Sequence, residues 1–152
     1  MNTKAALILL LVLLVPARAL SGEVSTPSGN LAIWGYDPVA YFTDGKPRQG
    51  SRTIAYQWLG AEWHFASEQH KQLFVDDPIG YAPQYGGHCA DGMYSGYTID
   101  QIDPDAWRII EGKLFLFGSR EAMWRFLERQ DSVRRSKAKW TRLMEKAKED
   151  AN

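Results

Sequence analysis

The candidate ligands for a soft metal ion are His70, His88 and Cys89. Cys89 is the only cysteine of the chain, so it cannot form an internal disulfide bond. Imidazole and thiolate ligands together suit zinc or copper, and the thioether of the nearby Met93 would favour Cu(I). These residue types predict a copper or zinc site made by His70, His88 and Cys89.

The same residues also allow thiol chemistry. Cys89 could act as a catalytic thiolate nucleophile that is stabilised by His88 or His70. Because the chain has no second cysteine, a redox cycle would need an external thiol or a sulfenic acid intermediate. A simpler alternative also stays open, in which Cys89 is a small buried hydrophobic residue and His70 is a hydrogen-bonded core histidine.

A third hypothesis is a non-catalytic module that binds a small molecule. The chain has six Trp and seven Tyr residues, and aromatic side chains of this kind commonly line ligand pockets. It has no Cys-x-x-Cys-His haem attachment motif, no glycine-rich phosphate-binding motif and no Gly-x-Ser-x-Gly motif. The sequence therefore gives no support to a hydrolase or a nucleotide-binding protein.

The elements that position these residues are short. Apolar patterns predict strands at 39–42, 54–58 and 62–65, and a second hairpin at 107–110 and 114–117. Ser67 is placed to cap a helix that ends near residue 76, with His70, Leu73 and Phe74 on its inner face. Residues 81–97 form a glycine-rich loop that carries His88 and Cys89.

Two amphipathic helices are predicted at the carboxyl end, capped by Ser119 and Asp131. The expected fold class is α+β, with a small antiparallel sheet of hairpins packed with a few helices. No internal repeat is visible in the sequence. The last helix carries a basic run, which is typical of a solvated helix face; a phosphate or membrane role is the less favoured interpretation. Its members are Arg134, Arg135, Lys137, Lys139 and Arg142.

The first residues have the pattern of an export signal. Lys4 precedes an apolar run at 5–15, and the small residues Ala17 and Ala19 mark a cleavage site. The run is too short to span a bilayer, for which about 20 residues are needed. We expect a signal peptide at 1–19, a periplasmic or secreted mature chain without a stable membrane span, and a flexible lead-in at 20–32.

The charge balance argues against a nucleic-acid-binding protein. The chain has 18 basic and 18 acidic residues. Removal of Lys4 and Arg18 with the signal leaves 16 basic against 18 acidic residues, a net charge of −2. Proteins that bind nucleic acid generally carry a basic excess. The expected partners are a metal ion or a small molecule, and a homodimer could complete a site between two subunits.

Several motifs together resemble the YHS domain. They are Gly-Tyr-Asp-Pro-Val-Ala-Tyr-Phe at 35–42, Trp-His-Phe-Ala-Ser at 63–67 followed by His70 and Phe74, and then Asp77, Pro78 and Tyr81. Tyr-Gly-Gly-His-Cys-Ala at 85–90 and the stretch at 105–116 are similar to the longer, exported branch of that family. The resemblance implies a YHS-like domain at 33–118, onto which helices at 119–149 pack.

The resemblance also implies chemistry. Shorter YHS domains are thought to bind metal through cysteines, and this chain has Ala40, Ala66 and His70 at those positions, so His70 alone keeps a ligand there. In the exported branch, selenocysteine can occupy the position of Cys89. That likeness implies redox or soft-metal chemistry at Cys89.

Overall fold

A computed structural model describes residues 23–151 of the chain and shows an α+β fold, as the sequence predicts. Its two sheets are antiparallel hairpins, β1 with β2 and β3 with β4. The elements in order are a 3-10 turn (Ala32–Gly35), α1 (Ala40–Thr43), β1 (Ser51–Trp58), β2 (Ala61–Phe65), α2 (Glu68–Asp76), α3 (Pro78–Tyr81), a second 3-10 turn (Gln84–Gly87), α4 (Ala90–Ser95), β3 (Asp103–Ile110), β4 (Lys113–Phe117), α5 (Arg120–Glu128) and α6 (Ser132–Asp150).

The same arrangement of elements occurs twice in the described chain. A 3-10 turn, a short helix, a hairpin and a nine-residue helix are followed by their counterparts 52 residues later, as from Ser51 to Asp103. Even the irregularity of the hairpins repeats, because the pairing shifts between Ser51 and Ala55 and again between Asp103 and Trp107. Residues 23–151 therefore contain two structural repeats, 32–76 and 84–128, although no repeat is visible in the sequence.

Few positions need to match for the two repeats to fold alike. Both hairpins turn through two residues with positive φ, Leu59 and Gly60 at 50° and 73°, and Glu111 and Gly112 at 50° and 72°. Two-residue turns of this kind match the twist of antiparallel strands. In these turns the shared requirement is a glycine at the second position, while the first position varies between Leu59 and Glu111.

Both nine-residue helices begin at a serine cap. The Ser67 hydroxyl accepts a hydrogen bond from the amide of His70 at 3.1 Å, and the Ser119 hydroxyl accepts one from Ala122 at 3.1 Å. Such caps satisfy a free amide of the first helical turn. The predicted helix starts after Ser67 and Ser119 are confirmed, as are both predicted hairpins. Asp131 precedes α6, but its side chain makes no capping hydrogen bond.

The core consists of two clusters of buried residues, and the first also contains Ile102, Leu114 and Leu116 of the second repeat. Trp63, Phe65 and Phe74 are fully buried in the first. Phe117 and Phe126 are fully buried in the second, and α6 covers that core. The residues of α6 that pack there are Val133, Trp140 and Leu143.

The prediction of a strand at 39–42 is wrong, because Val39 is the N-cap of α1 and residues 40–42 belong to that helix. The cause is Asp37, whose Oδ1 accepts hydrogen bonds from the amides of Val39 at 2.8 Å and Ala40 at 3.3 Å. A side chain that accepts from the next amides favours a helical turn over an extended strand. The apolar pattern of 39–42 reports burial here, since Val39, Ala40 and Tyr41 lie in the core.

Part of the segment expected as a flexible lead-in packs on the domain, whereas residues 28–30 are exposed. Val24 and Ser25 are buried. The Ser25 amide donates to the carbonyl of Gly86 at 2.9 Å, and its hydroxyl donates to Asp100 at 2.8 Å. These long-range contacts involve small polar residues, which explains why composition alone suggested a loose segment. The predicted signal peptide at 1–19 lies outside the described residues.

Within residues 23–151 no helix is both long enough and apolar enough to cross a membrane.

Candidate functional site

The predicted site residues fall into different repeats. His70 lies on α2 of the first repeat, whereas His88 and Cys89 lie just before α4 of the second. In the part of the chain that the structure describes, no three His, Cys, Asp or Glu side chains are grouped closely enough to hold a metal ion. A single chain therefore does not assemble His70, His88 and Cys89 into the closed ligand set that the residue types suggested.

His70 is oriented by a buried carboxylate. Asp37 is fully buried, and its Oδ2 lies 2.7 Å from Nδ1 of His70 and accepts from the Ala66 amide at 2.8 Å. Because the carboxylate accepts, Nδ1 of His70 donates to it. Nε2 faces Thr43 Oγ1 at 3.1 Å and Asp44 Oδ1 at 3.8 Å. Nε2 is therefore the ring nitrogen of His70 at which a ligand could bind.

Asp44 adds negative charge beside that imidazole. Hydrogen bonds from Thr43 and Arg48, together with the positive charge of Arg48, hold the pKa of the Asp44 carboxyl below its usual value. The carboxyl group is therefore ionised at neutral pH. The end of α1 thus places a carboxylate and a hydroxyl beside the imidazole of His70 on α2.

Cys89 occupies the place in the second repeat that Asp37 occupies in the first. Its sulfur accepts a hydrogen bond from the Gly118 amide at 3.2 Å, as the Asp37 carboxylate accepts from Ala66. Both residues therefore tie the start of a short helix to the end of the hairpin. Cys89 is only 3% exposed, so its thiol offers little access to a substrate.

The ring of His88 contacts groups other than the Cys89 thiol. Its Nδ1 lies 3.0 Å from Asp100 Oδ1, and its ring lies 5.9 Å from that of Trp140. Asp100 also receives the Ser25 hydroxyl bond, so His88 takes part in anchoring the amino-terminal segment. The position of His70 in the first repeat corresponds to Ala122 in the second, so only the first repeat has the oriented imidazole.

A cleft of about 250 Å³ lies between the first hairpin, the segment before α4, and α6. The sequence suggested an aromatic pocket without identifying its residues. Its aromatic walls are Trp58, Trp63, Tyr85 and Trp140, with the apolar residues Val24, Leu59, Ile79, Ala82 and Pro83 and the charged residues Glu23 and Lys137. The sequence feature that pointed to this cleft was the pair Trp58 and Trp63, which flanks the turn of the first predicted hairpin.

The aromatic walls of the cleft are held in place. The Trp63 indole donates to the carbonyl of Trp58 at 3.1 Å, and the two rings lie 5.9 Å apart. The ring of Tyr85 packs 6.1 Å from that of Trp140. Burial raises the pKa of the Tyr85 hydroxyl to about 12, so the wall stays uncharged at neutral pH.

The backbone beside the cleft is strained and tightly packed. Tyr85 has φ +57°, a region that costs a residue with a side chain about 1–3 kcal/mol. The next residue, Gly86, has φ +62°, and its Cα lies so close to the carbonyl of Glu23 that a side chain would overlap it. This close approach brings Glu23 and Val24 into the cleft wall.

Comparisons with known proteins add no constraint to this geometry. The chain matches no family model, no curated protein and no solved structure.

Proposed function

We propose that the protein binds a small planar ligand in the aromatic cleft between the two repeats and α6. The observation that carries the proposal is the convergence of Trp58, Trp63, Tyr85 and Trp140 on one cleft of about 250 Å³. Ligand sites are concave, mostly apolar and largely preformed, with a few polar groups that orient the ligand. This cleft has each of those properties.

The lining restricts the ligand. Ligand pockets commonly measure about 300–1,000 Å³, so a cleft of about 250 Å³ suits one or two rings. Aromatic walls favour a flat, unsaturated ligand through offset or edge-to-face contacts. Lys137 offers a cation at the lining and Glu23 an anion. A planar ring system with a carboxylate directed at Lys137 is the ligand class that fits best.

Calorimetric titration with naphthalene-2-carboxylate tests this proposal. Trp140→Ala removes a wall and Lys137→Gln removes the cation, whereas Trp124→Ala removes an exposed tryptophan that does not line the cleft. We expect saturable binding to the wild type and to the Trp124 variant, weakened about tenfold or more in each cleft variant. No binding to the wild type, or an equal loss in the Trp124 variant, would refute the ligand class.

A second candidate function is metal binding at His70. The supporting observation is the buried Asp37 on Nδ1, because metal-binding histidines commonly donate that second nitrogen to a carboxylate. The resemblance to the YHS domain also points to this position. With Asp44 nearby, a copper or zinc ion would bind Nε2 of His70 and a carboxylate oxygen. His88 and Cys89 would complete the set only if a second subunit brought them there.

Metal analysis after reconstitution with Zn²⁺ or Cu²⁺ separates these ligand sets. If His70 and Asp44 bind the ion, His70→Ala lowers the bound metal to background and Cys89→Ser leaves it unchanged. Loss of metal in both variants would instead support the shared His70 and Cys89 site. Absence of bound metal from the wild type would exclude both sets.

A further inference from the structure

Four cationic side chains lie along an outer face of α6. They line a shallow groove of about 310 Å³, in which the single carboxylate is that of Asp131, 3.8 Å from Arg134. The other three cations are spaced four and three residues apart, so they are neighbours on the helix surface. The cationic residues are Arg134, Arg135, Lys139 and Arg142. The groove concentrates positive charge on a chain whose basic and acidic residues balance.

Arg135 is positioned by contacts with α4, and Lys139 passes close to the residue that follows this helix. Nε of Arg135 donates to the carbonyl of Tyr94 at 3.3 Å, and its guanidinium carbon lies 4.4 Å from the centre of the Tyr94 ring. The stem of Lys139 runs beside Gly96, where a Cβ would lie 3.5 Å from Cδ of the lysine. Groups held in this way lose less conformational freedom when they bind a ligand.

The cations of the groove repel one another. Like charges three or four residues apart destabilise a helix, and within residues 23–151 neither Lys139 nor Arg142 forms an ion pair with a carboxylate. A bound anion would remove this repulsion. Guanidinium groups match the oxygen geometry of phosphate and can donate two parallel hydrogen bonds to it.

We propose that this groove binds a phosphate-bearing anion through Arg134, Arg135, Lys139 and Arg142. The apolar stripe of α6, which includes Val133, Trp140 and Leu143, packs against the core of the second repeat and is not free to enter a bilayer. Electrostatic attraction therefore drives binding, whether the phosphate belongs to a soluble molecule or to a lipid headgroup.

The test uses two probes and two double variants. Inorganic pyrophosphate is titrated by calorimetry at low salt, and vesicles of phosphatidylglycerol are compared with vesicles of phosphatidylcholine in a sedimentation assay. Arg135→Gln with Arg142→Gln removes two cations from the groove. Arg52→Gln with Arg120→Gln makes the same change of net charge at exposed positions outside it.

We expect saturable binding that weakens with added salt, falls about tenfold or more in the groove variant and changes less than about twofold in the control. Binding of pyrophosphate supports a soluble phosphate, and binding of phosphatidylglycerol vesicles alone supports a lipid headgroup. Failure of both probes to bind the wild type overturns the proposal. An equal loss in the two double variants does so as well, because the effect would then be one of net charge.

Discussion

Gly86→Ala is expected to release the amino-terminal segment from the cleft. The added Cβ would overlap the carbonyl oxygen of Glu23 and lie 2.7 Å from its carbon and 2.9 Å from Cα of Val24. All three atoms belong to the backbone, so rotation of a side chain cannot relieve the overlap. The segment must move, and it then loses the hydrogen bond from the Ser25 amide to the carbonyl of residue 86.

The magnitude follows from three contributions. Alanine at φ +62° costs about 1–2 kcal/mol. The lost hydrogen bond is worth about 1 kcal/mol. Exposure of Val24, which is buried in the wild type, removes about 1.5–3 kcal/mol of apolar burial. We expect the free energy of unfolding to fall by about 3.5–6 kcal/mol in total.

The matched control is Gly45→Ala. Gly45 has φ +64°, but nothing lies within 4 Å of a Cβ built there, so this variant has the backbone strain without the overlap. Urea denaturation followed by circular dichroism should show a loss of about 1–2 kcal/mol for the control. If the two variants agree within about 0.5 kcal/mol, or if the Ser25 amide stays protected from hydrogen exchange in the Gly86 variant, the reasoning is wrong.

Three further predictions concern the buried groups. Asp37→Asn should lower the free energy of unfolding by about 2–3 kcal/mol in urea denaturation, because it replaces a fully buried carboxylate that accepts charge-assisted hydrogen bonds. Phe74→Ala and Phe126→Ala should each cost about 3–5 kcal/mol in the same assay, because both rings are fully buried at equivalent positions of the two repeats. Stability should fall as the pH rises from 10 towards 12, since burial raises the pKa of folded Tyr85 to about 12 while unfolded tyrosine ionises near 10. Absorbance at 295 nm should show that late ionisation.

Each of these has an outcome that contradicts it. Asp105→Asn changes an exposed carboxylate, and an equal loss there would show that the Asp37 hydrogen bonds are not the cause. A loss below about 1 kcal/mol for either phenylalanine would contradict the equivalence of the two cores. If Tyr85→Phe leaves the alkaline titration and the pH dependence unchanged, burial of Tyr85 is not responsible for them.

The local elements could be predicted because local contacts form them. Ser67 and Ser119 cap helices within three residues, and Gly60 and Gly112 close hairpins between adjacent strands. The strand predicted at 39–42 failed because the Asp37 side chain bonds the amides two and three residues away, a preference that apolar alternation does not report.

The repeat and the site depend on contacts between distant residues. Asp37 and Cys89 have different chemistry, and their equivalence emerges only when the matching amides of Ala66 and Gly118 are located. Similarly, nothing in the spacing of Trp58 and Trp140 indicates that both face one cleft, because α6 reaches it through the packing of the second repeat.

The most direct test of the proposed ligand cleft is an NMR titration of the tryptophan indole groups in protein labelled with nitrogen-15. Trp58, Trp63 and Trp140 line the cleft, whereas Trp124 is 55% exposed and lies outside it. On addition of naphthalene-2-carboxylate, we predict that the three cleft indole signals shift along one common saturation curve and that the Trp124 signal stays in place. Cleft signals that do not move, or that move no more than the Trp124 signal, would contradict the proposed function.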